Sequence, residues 1–250
     1  MQLDKVAVIT GASRGIGAET AKLFARNGYS VCINYLTNSV AANQVAAEIK
    51  NSGGNCAVIQ ADISREQEVI KLFNSVDQEL GKLDVLVNNA AILKQQCSVT
   101  QLDADRINEI LRVNVTGCIL CCREAVKRMS ISNNGHGGSI VNVSSGAAKT
   151  GSPNEYVDYA ASKGAIDTFT IGLSTEVAAE GIRVNGVRPG FIYTEMHAAG
   201  GEPDRVNRLK SKIPMQRGGQ PSEIAEAIYW LASTKASYVT GSILDLAGGM

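Results

Sequence analysis

Short β-branched runs alternate along the chain with stretches whose apolar residues recur at helical spacing. "KVAVIT" (5–10) ends at Gly11, as a strand buried on both faces does, and "GAETAKLFARNG" follows as a helix closed by Gly28. "SVCINY" predicts the next strand, "SVAANQVAAEIKNSGG" a helix, "CAVIQAD" a strand, "REQEVIKLFNSVDQELG" a helix and "LDVLVNNA" a strand. Beyond a loop come a long helix over about 104–130, the strand "SIVNVSS", a second long helix over 153–180 and the strand "IRVNGVRPG". Such alternation implies right-handed βαβ units. The expected fold class is α/β: one doubly wound Rossmann domain over 1–250, with a mostly parallel seven-stranded sheet and helices on both faces. In such a sheet, ligands sit outside the carboxyl ends of the strands.

Composition narrows the picture. The 250 residues are 44% hydrophobic and 19% charged, which favours a packed core over disorder. Twenty-four Lys and Arg balance 24 Asp and Glu with no basic run, so neither nucleic acid nor an anionic membrane is an expected partner. The opening "MQLDKVAVIT" does not read as a signal peptide, and no stretch approaches the ~20 apolar residues of a membrane span. A cytoplasmic protein is expected. Six cysteines fall in no framework spacing. Cys118 and Cys121 form C-x-x-C, but no second ligand pair follows, and within "VNVTGCILCCREAVKRM" they read as small buried hydrophobes rather than metal ligands.

The first strand ends in "TGASRGIG", with Gly11, Gly15 and Gly17 spaced G-x-x-x-G-x-G. Glycine permits the tight turn, close approach of backbone to a pyrophosphate and close packing of helix on strand. The free N–H groups of the following helix would face the phosphates. This turn is accompanied, in order, by "NNAA" at 88–91, Asn114 in "VNVTG", "VNVSS" at 141–145, Y-x-x-x-K at 159–163 and "RPG" at 188–190. Taken together, these motifs resemble the short-chain dehydrogenase/reductase family over essentially the whole chain. The resemblance implies an NAD(P)-dependent oxidoreductase, usually tetrameric, with a catalytic tetrad at Asn114, Ser145, Tyr159 and Lys163.

"YVDYAASKGA" (156–165) offers two tyrosines to one lysine. Ser152, Pro153 and Glu155 read as the N-cap, first turn and capping box of the helix. Tyr159 and Lys163 are then i and i+4 on one face, whereas Tyr156 lies about 10 Å from Lys163 along the axis and reads as a packing or pocket residue. A phenol with its usual pKa of about 10 is a weak acid near neutrality, and a neighbouring ammonium is expected to lower that value. By resemblance, Lys163 also binds the nicotinamide ribose, Ser145 steadies the substrate oxygen and Asn114 supports a proton relay. Ser144 stays open as the alternative to Ser145, because the spacing to Tyr159 is one residue longer than the family's commonest. A serine hydrolase is disfavoured: neither His136 nor His197 lies in a motif for a base, and there is no G-x-S-x-G.

An NAD enzyme of this shape usually carries Asp or Glu after the second strand, whereas this chain reads "INYLTNS" from Ile33 to Ser39. Arg14, inside the glycine turn, is a cation in the place where NADP-preferring members of the resembled family often carry one for the 2′-phosphate. NADP is the expected cofactor, NAD the less favoured one. Ser13, Ile16 and Asn34 join the cofactor set. Asp62 and Ile63 resemble the adenine-contacting pair, Asn89 lines the cofactor path, and Pro189, Gly190, Ile192 and Thr194 resemble positions near the carboxamide and phosphate. The segment 194–219, within a region of about 190–220, interrupts the alternation and is expected to be the substrate lid. Its paired glycines suggest mobility, and His197, Arg205 and Arg208 are available to a polar ligand. A small carbonyl or alcohol is the expected substrate and a homotetramer the expected assembly, with the long helices and the tail "SILDLAGGM" at the interfaces. An NAD-dependent sugar or alcohol dehydrogenase, and a dinucleotide-binding regulator without turnover, are the alternatives.

Overall fold

In the computed structural model, which describes residues 5–250, seven strands form one sheet in the order β3-β2-β1-β4-β5-β6-β7, all pairs parallel. Met1–Asp4, the start of the opening segment read above, lie outside the described residues. The strands are β1 (Lys5–Ile9), β2 (Tyr29–Tyr35), β3 (Cys56–Gln60), β4 (Leu83–Asn88), β5 (Gly138–Val143), β6 (Ile182–Pro189) and β7 (Ile243–Leu246). The order reverses between β1 and β4, and that topological switch opens a crevice at their carboxyl ends.

Alternation along β1 divides the core. Ala7 and Ile9 face one apolar layer, with Phe24 of α1 (Gly15–Arg26), Ile49 of α2 (Ser39–Asn51) and Ile228 of α10 (Pro221–Ala232). Val6 and Val8 face the other, with Phe73 of α3 (Glu66–Glu79), Cys121 and Cys122 of α5 (Cys118–Met129) and Ile166 of α7 (Val157–Val177). The thiols of Cys118, Cys121 and Cys122 are buried and free, as small apolar side chains within this layer.

The two long helices differ from their expected form. The stretch expected as one helix over 104–130 is α4 (Ala104–Leu111), a π-helical turn from Arg112 to Gly117, and α5. The extra residue in that turn accompanies a side chain, Asn114, turned onto the segment after β4, and Gly117 presses on Ile63, where a Cβ would come within 3.0 Å. The second helix starts at Val157, not at Ser152. Ser152 and Asn154 hold φ values of 43° and 61°, so the backbone is left-handed where an extended N-cap was expected. Glu155 gives its carboxylate to Arg205 instead of to the helix end. The short α6 (Ala147–Thr150) precedes this turn; α8 (Met196–Ala199) and α9 (Arg205–Leu209) lie in the 190–220 region, where Val206, Leu209 and Ile213 are buried. No helix among the described residues is long and apolar enough to cross a membrane.

Candidate active site

The glycine turn sits at the switch between β1 and β4, locked by Thr10 and Asn89. Thr10 Oγ1 accepts the amides of Asn89 and Ala90, both at 3.0 Å, and Asn89 Nδ2 donates to the carbonyls of Thr10 (2.9 Å) and Gly11 (3.0 Å). Two glycines are sterically required. A Cβ on Gly17 would come within 2.5 Å of Asn89 Nδ2 and 2.6 Å of the Gly11 carbonyl, and Gly11 has a φ of 62° with Ala90 2.9 Å from its would-be Cβ. Arg14 ends this turn as the extended residue before α1. It makes no side-chain cap, and the first turn of α1 holds no acid, so the leading amides of a 12-residue helix keep their donor capacity and positive dipole end. The Arg14 side chain is exposed beside it. Such a cradle fits a dinucleotide pyrophosphate.

Asn34 serves the cradle from below. It is buried, accepts the Gly11 amide at 3.3 Å and donates to the Ile59 and Ala61 carbonyls, so its side chain shapes the turn and is itself consumed by the protein. Asp62 caps its own loop through the Ser64 amide (2.9 Å) and pairs with Arg65, while Ile63 lies buried against Gly117. Thr194 stands over Gly15, with its Cγ2 3.3 Å from a would-be Cβ there. Ile192 is buried and bridges to Gly219; the Gly190 amide donates to Leu246, and a Cβ at Gly190 would meet Ala247 at 2.9 Å. Pro189 ends β6 beside it.

Across the crevice, α7 brings Tyr159 and Lys163 to the end of β5. Tyr159 is buried, and burial pushes its phenol up to about 12, with the Ser145 hydroxyl drawing it the other way. Lys163 is buried too, and desolvation lowers its ammonium to about 8. Its Nζ donates to the Val143 carbonyl at 2.7 Å and lies 5.6 Å from the Tyr159 ring centre. The expected lowering of the phenol by the lysine is therefore corrected. Lys163 gives one of its three donors to the sheet, and loss of water dominates both groups. The two serines take separate places: Ser144 is buried and donates to the Lys163 carbonyl at 3.2 Å, whereas Ser145, half-buried, faces Tyr159 and accepts the Ala147 amide at 3.1 Å.

Asn114 is tied to Ile92 twice, accepting its amide at 2.8 Å and donating to its carbonyl at 3.0 Å. It also donates to Ser162 Oγ at 3.1 Å, and Ser162 donates on to the Tyr159 carbonyl at 2.7 Å. The model of the family described as Enoyl-(Acyl carrier protein) reductase matches residues 11–250. The chain belongs to the short-chain dehydrogenase/reductase family. It is 64% identical to the uncharacterized oxidoreductase YgfF of Escherichia coli, over 98% of this chain and 99% of that protein. It is 35% identical to a 3-oxoacyl-[acyl-carrier-protein] reductase, FabG, of Staphylococcus aureus, over 100% of this chain and 99% of the relative. The crystal structure of a dehydrogenase/reductase from Sinorhizobium meliloti superposes with a TM-score of 0.90 at 30% identity, covering 98% of this chain and 94% of that one.

In this short-chain dehydrogenase/reductase the 194–219 region lies folded down on the crevice. Gly200 and Gly201 are there for close packing. A Cβ on Gly200 would lie 2.7 Å from Tyr156 Oη and 2.9 Å from Leu93, and one on Gly201 2.9 Å from Gln95. Arg205 and Arg208 are taken up by carboxylates: Glu155 and Glu202 for the first, Glu202 for the second. His197 Nε2 bonds the Ile192 carbonyl at 2.9 Å, its Nδ1 is buried without a protein partner, and burial lowers its pKa.

Several site residues escaped the sequence. Thr10 and Ser162 stand inside quoted motifs, yet nothing in one sequence marks a hydroxyl as a brace. Asp158, next to Tyr159, and Arg106 are 52 residues apart in the chain and meet only through the fold.

Proposed function

We propose that this protein is an NADP-dependent oxidoreductase that interconverts a carbonyl and an alcohol on a small molecule. The observation that carries the reading is the convergence of Tyr159, Ser145 and Lys163 at the carboxyl end of β5, across the switch-point crevice from the glycine cradle. When bound, the nicotinamide would supply hydride chemistry. The protein's own groups handle the proton. Burial keeps Tyr159 protonated at neutral pH but makes it a weaker acid, so it gives its proton to a carbonyl oxygen only as that oxygen gains negative charge. Ser145 donates to the same oxygen and fixes its place. Lys163, one turn along the helix, holds the cofactor ribose and recharges Tyr159 with Asn114 through water. In the oxidation direction, Tyr159 first passes its own proton to the relay through Lys163, Asn114 and water, and then takes the alcohol proton.

NADP is favoured over NAD because Arg14 is exposed at the end of the cradle and "LTNS" after β2 offers no carboxylate against a 2′-phosphate. Asp62 and Ile63 would flank the adenine, Asn89 the ribose path, and Ile192 and Thr194 the carboxamide and phosphate. The uncovered helix termini at the glycine turn fit this group. A homotetramer is supported by exposed apolar side chains on its long helices, Leu111, Ile119 and Ile171, and on α10 and β7, Trp230 and Leu244. We assign it to the cytoplasm.

The test is NADPH oxidation over a panel of ketones, aldehydes, quinones, sugars and 3-oxoacyl thioesters. The last two classes enter because a Bacillus subtilis relative, 35% identical over 98% of this chain, is named glucose 1-dehydrogenase 2, and the Staphylococcus relative a 3-oxoacyl reductase. No turnover on any class, with intact NADPH binding, would favour the regulator reading instead.

A further inference from the structure

Arg205 belongs to the lid, yet only 6% of it is exposed. A guanidinium so enclosed is stable only with its charge paired and its donors satisfied. Its partners come from three separate segments. Glu202 lies in the lid itself, bonded at 2.6 Å. Glu155, two residues before α7, receives both Nη atoms in a fork-to-fork pair. The guanidinium carbon lies over two rings, 5.2 Å from the centre of Tyr156 and 5.4 Å from that of Phe191. Tyr156 is the residue immediately before α7, and its hydroxyl donates back into the lid, to the Gly200 carbonyl at 3.1 Å. Phe191 sits between Gly190 and Ile192. Glu202 extends the contact to the segment after β4, accepting Gln96 Nε2 at 2.8 Å.

The left-handed turn at 152–154 closes on the Ser152 carbonyl, which accepts the Glu155 and Tyr156 amides. However, α7 has no side-chain cap, and the lead-in is also held from outside, where the Glu155 carbonyl accepts the Cys97 amide at 3.1 Å. Tyr159 is the third residue of α7. Lys163, one turn further, is anchored on the sheet through Val143, whereas the first turn that carries Tyr159 is held through side chains, the Asp158 carboxylate accepting the Tyr159 amide at 2.9 Å.

We propose that Arg205 is a positioning residue: from the lid it clamps Glu155 and Tyr156, so that docking the lid and aiming the Tyr159 hydroxyl are one event. This rests on Tyr159 being the acid/base group. Arg205 touches neither that hydroxyl nor the reacting atoms and acts only through the turn before it. Lysine cannot replace it, since an ammonium offers neither the fork nor the flat faces.

The experiment compares Arg205→Lys and Arg205→Met, alone and in a Tyr159→Phe background, on the fastest carbonyl of the panel with NADPH. Both single variants are expected to lose about 10- to 100-fold in kcat, as displacement of a catalytic group does, with NADPH affinity nearly unchanged. In the Tyr159→Phe background the same substitutions should cost little more, because the donor they misalign is already gone. A raised KM at unchanged kcat, or equal losses in the two backgrounds, overturns the proposal. Hydrogen exchange needs no substrate: Arg205→Lys, which keeps the charge and folds most readily, should speed exchange over 93–97 and over 156–160 together. Wild-type exchange at 156–160 also overturns it. Near-normal turnover by Tyr159→Phe alone would sink the acid/base reading, and the exchange result would still decide whether the lid and the α7 start are coupled.

Discussion

Arg106 donates from Nε to the Asp158 carboxylate at 2.6 Å, and that carboxylate also accepts the amide of Tyr159 at 2.9 Å. Arg106 reaches on from α4 to the Gln95 carbonyl at 2.7 Å, so one guanidinium joins three segments around the first turn of α7. The Asp158 side chain is 2% exposed and the Arg106 side chain 16%. Removing the cation strands a buried carboxylate, and Arg106→Met should therefore cost about 3 kcal/mol of unfolding free energy. Chemical denaturation checks this. With Asp158→Asn added, the combined loss should fall short of the sum of the two single losses; strict additivity would mean the pair is not coupled.

The two tyrosines should separate cleanly. Tyr159→Phe removes the buried hydroxyl and leaves the ring, so folding and NADPH affinity should hold while turnover drops by roughly 10²–10⁴, the usual worth of a general acid. Tyr156→Phe loses only a bond to the Gly200 carbonyl, and its cost should be far smaller. Steady-state rates of both variants on one carbonyl decide it. A dead Tyr156→Phe beside a working Tyr159→Phe reverses the assignment.

Lys163 makes stability depend on pH in an unusual direction. Its folded value is lowered from 10.5 to about 8, so between those values the unfolded chain binds a proton that the folded protein has released. More protons on the unfolded state means that stability rises with pH across that window. At ~1.4 kcal/mol per unit the gain is about 3 kcal/mol. Tyr159, raised from 10.0 to about 12, acts in the opposite sense above that range, its folded form keeping a proton the unfolded chain has lost. Lys163→Met should be the more stable protein near neutrality and should lose that advantage toward about pH 10, because only the wild type gains. Urea midpoints of both proteins across that interval measure the difference, in which the contribution of Tyr159 cancels. A constant difference refutes the assignment of a desolvated amine.

Arg14→Ala should weaken NADPH by roughly 10- to 100-fold, the worth of a charge-assisted hydrogen bond, and leave NADH almost untouched. Fluorescence titration of both cofactors reads this directly. Equal losses for the two would show that Arg14 serves the pyrophosphate or the fold, and not a 2′-phosphate.

Assembly is open to one measurement. Light scattering at micromolar concentration should give four times the 26.4 kDa chain mass, and Ile171→Glu on α7 should lower it, since a charge there would be buried in the contact. A monomeric wild type would refute the tetramer.

Much of this was legible without a structure, because local rules fix it. The strand and helix periods, the glycines after β1 and the i, i+4 spacing of Tyr159 and Lys163 depend on neighbours a few residues away, and a parallel sheet follows from their alternation, although the pattern marks only six of its strands and the tail "SILDLAGGM" carries the seventh, β7. The start of α7 was misread because a capping box is only an intrinsic preference. Here Arg205, 50 residues on, took the Glu155 side chain and left Ser152 in a left-handed turn. The π-helical turn at Asn114 was invisible for the same reason, its partner Ile92 lying 22 residues earlier. Nor could spacing tell which of Ser144 and Ser145 turns toward Tyr159, since adjacent residues leave a strand on opposite faces only while the strand lasts, and β5 ends at Val143. The phenol and the amine carry the same lesson furthest. Their types and separation are written in the chain, but their proton affinities were decided by desolvation, which exists only once distant segments close over them.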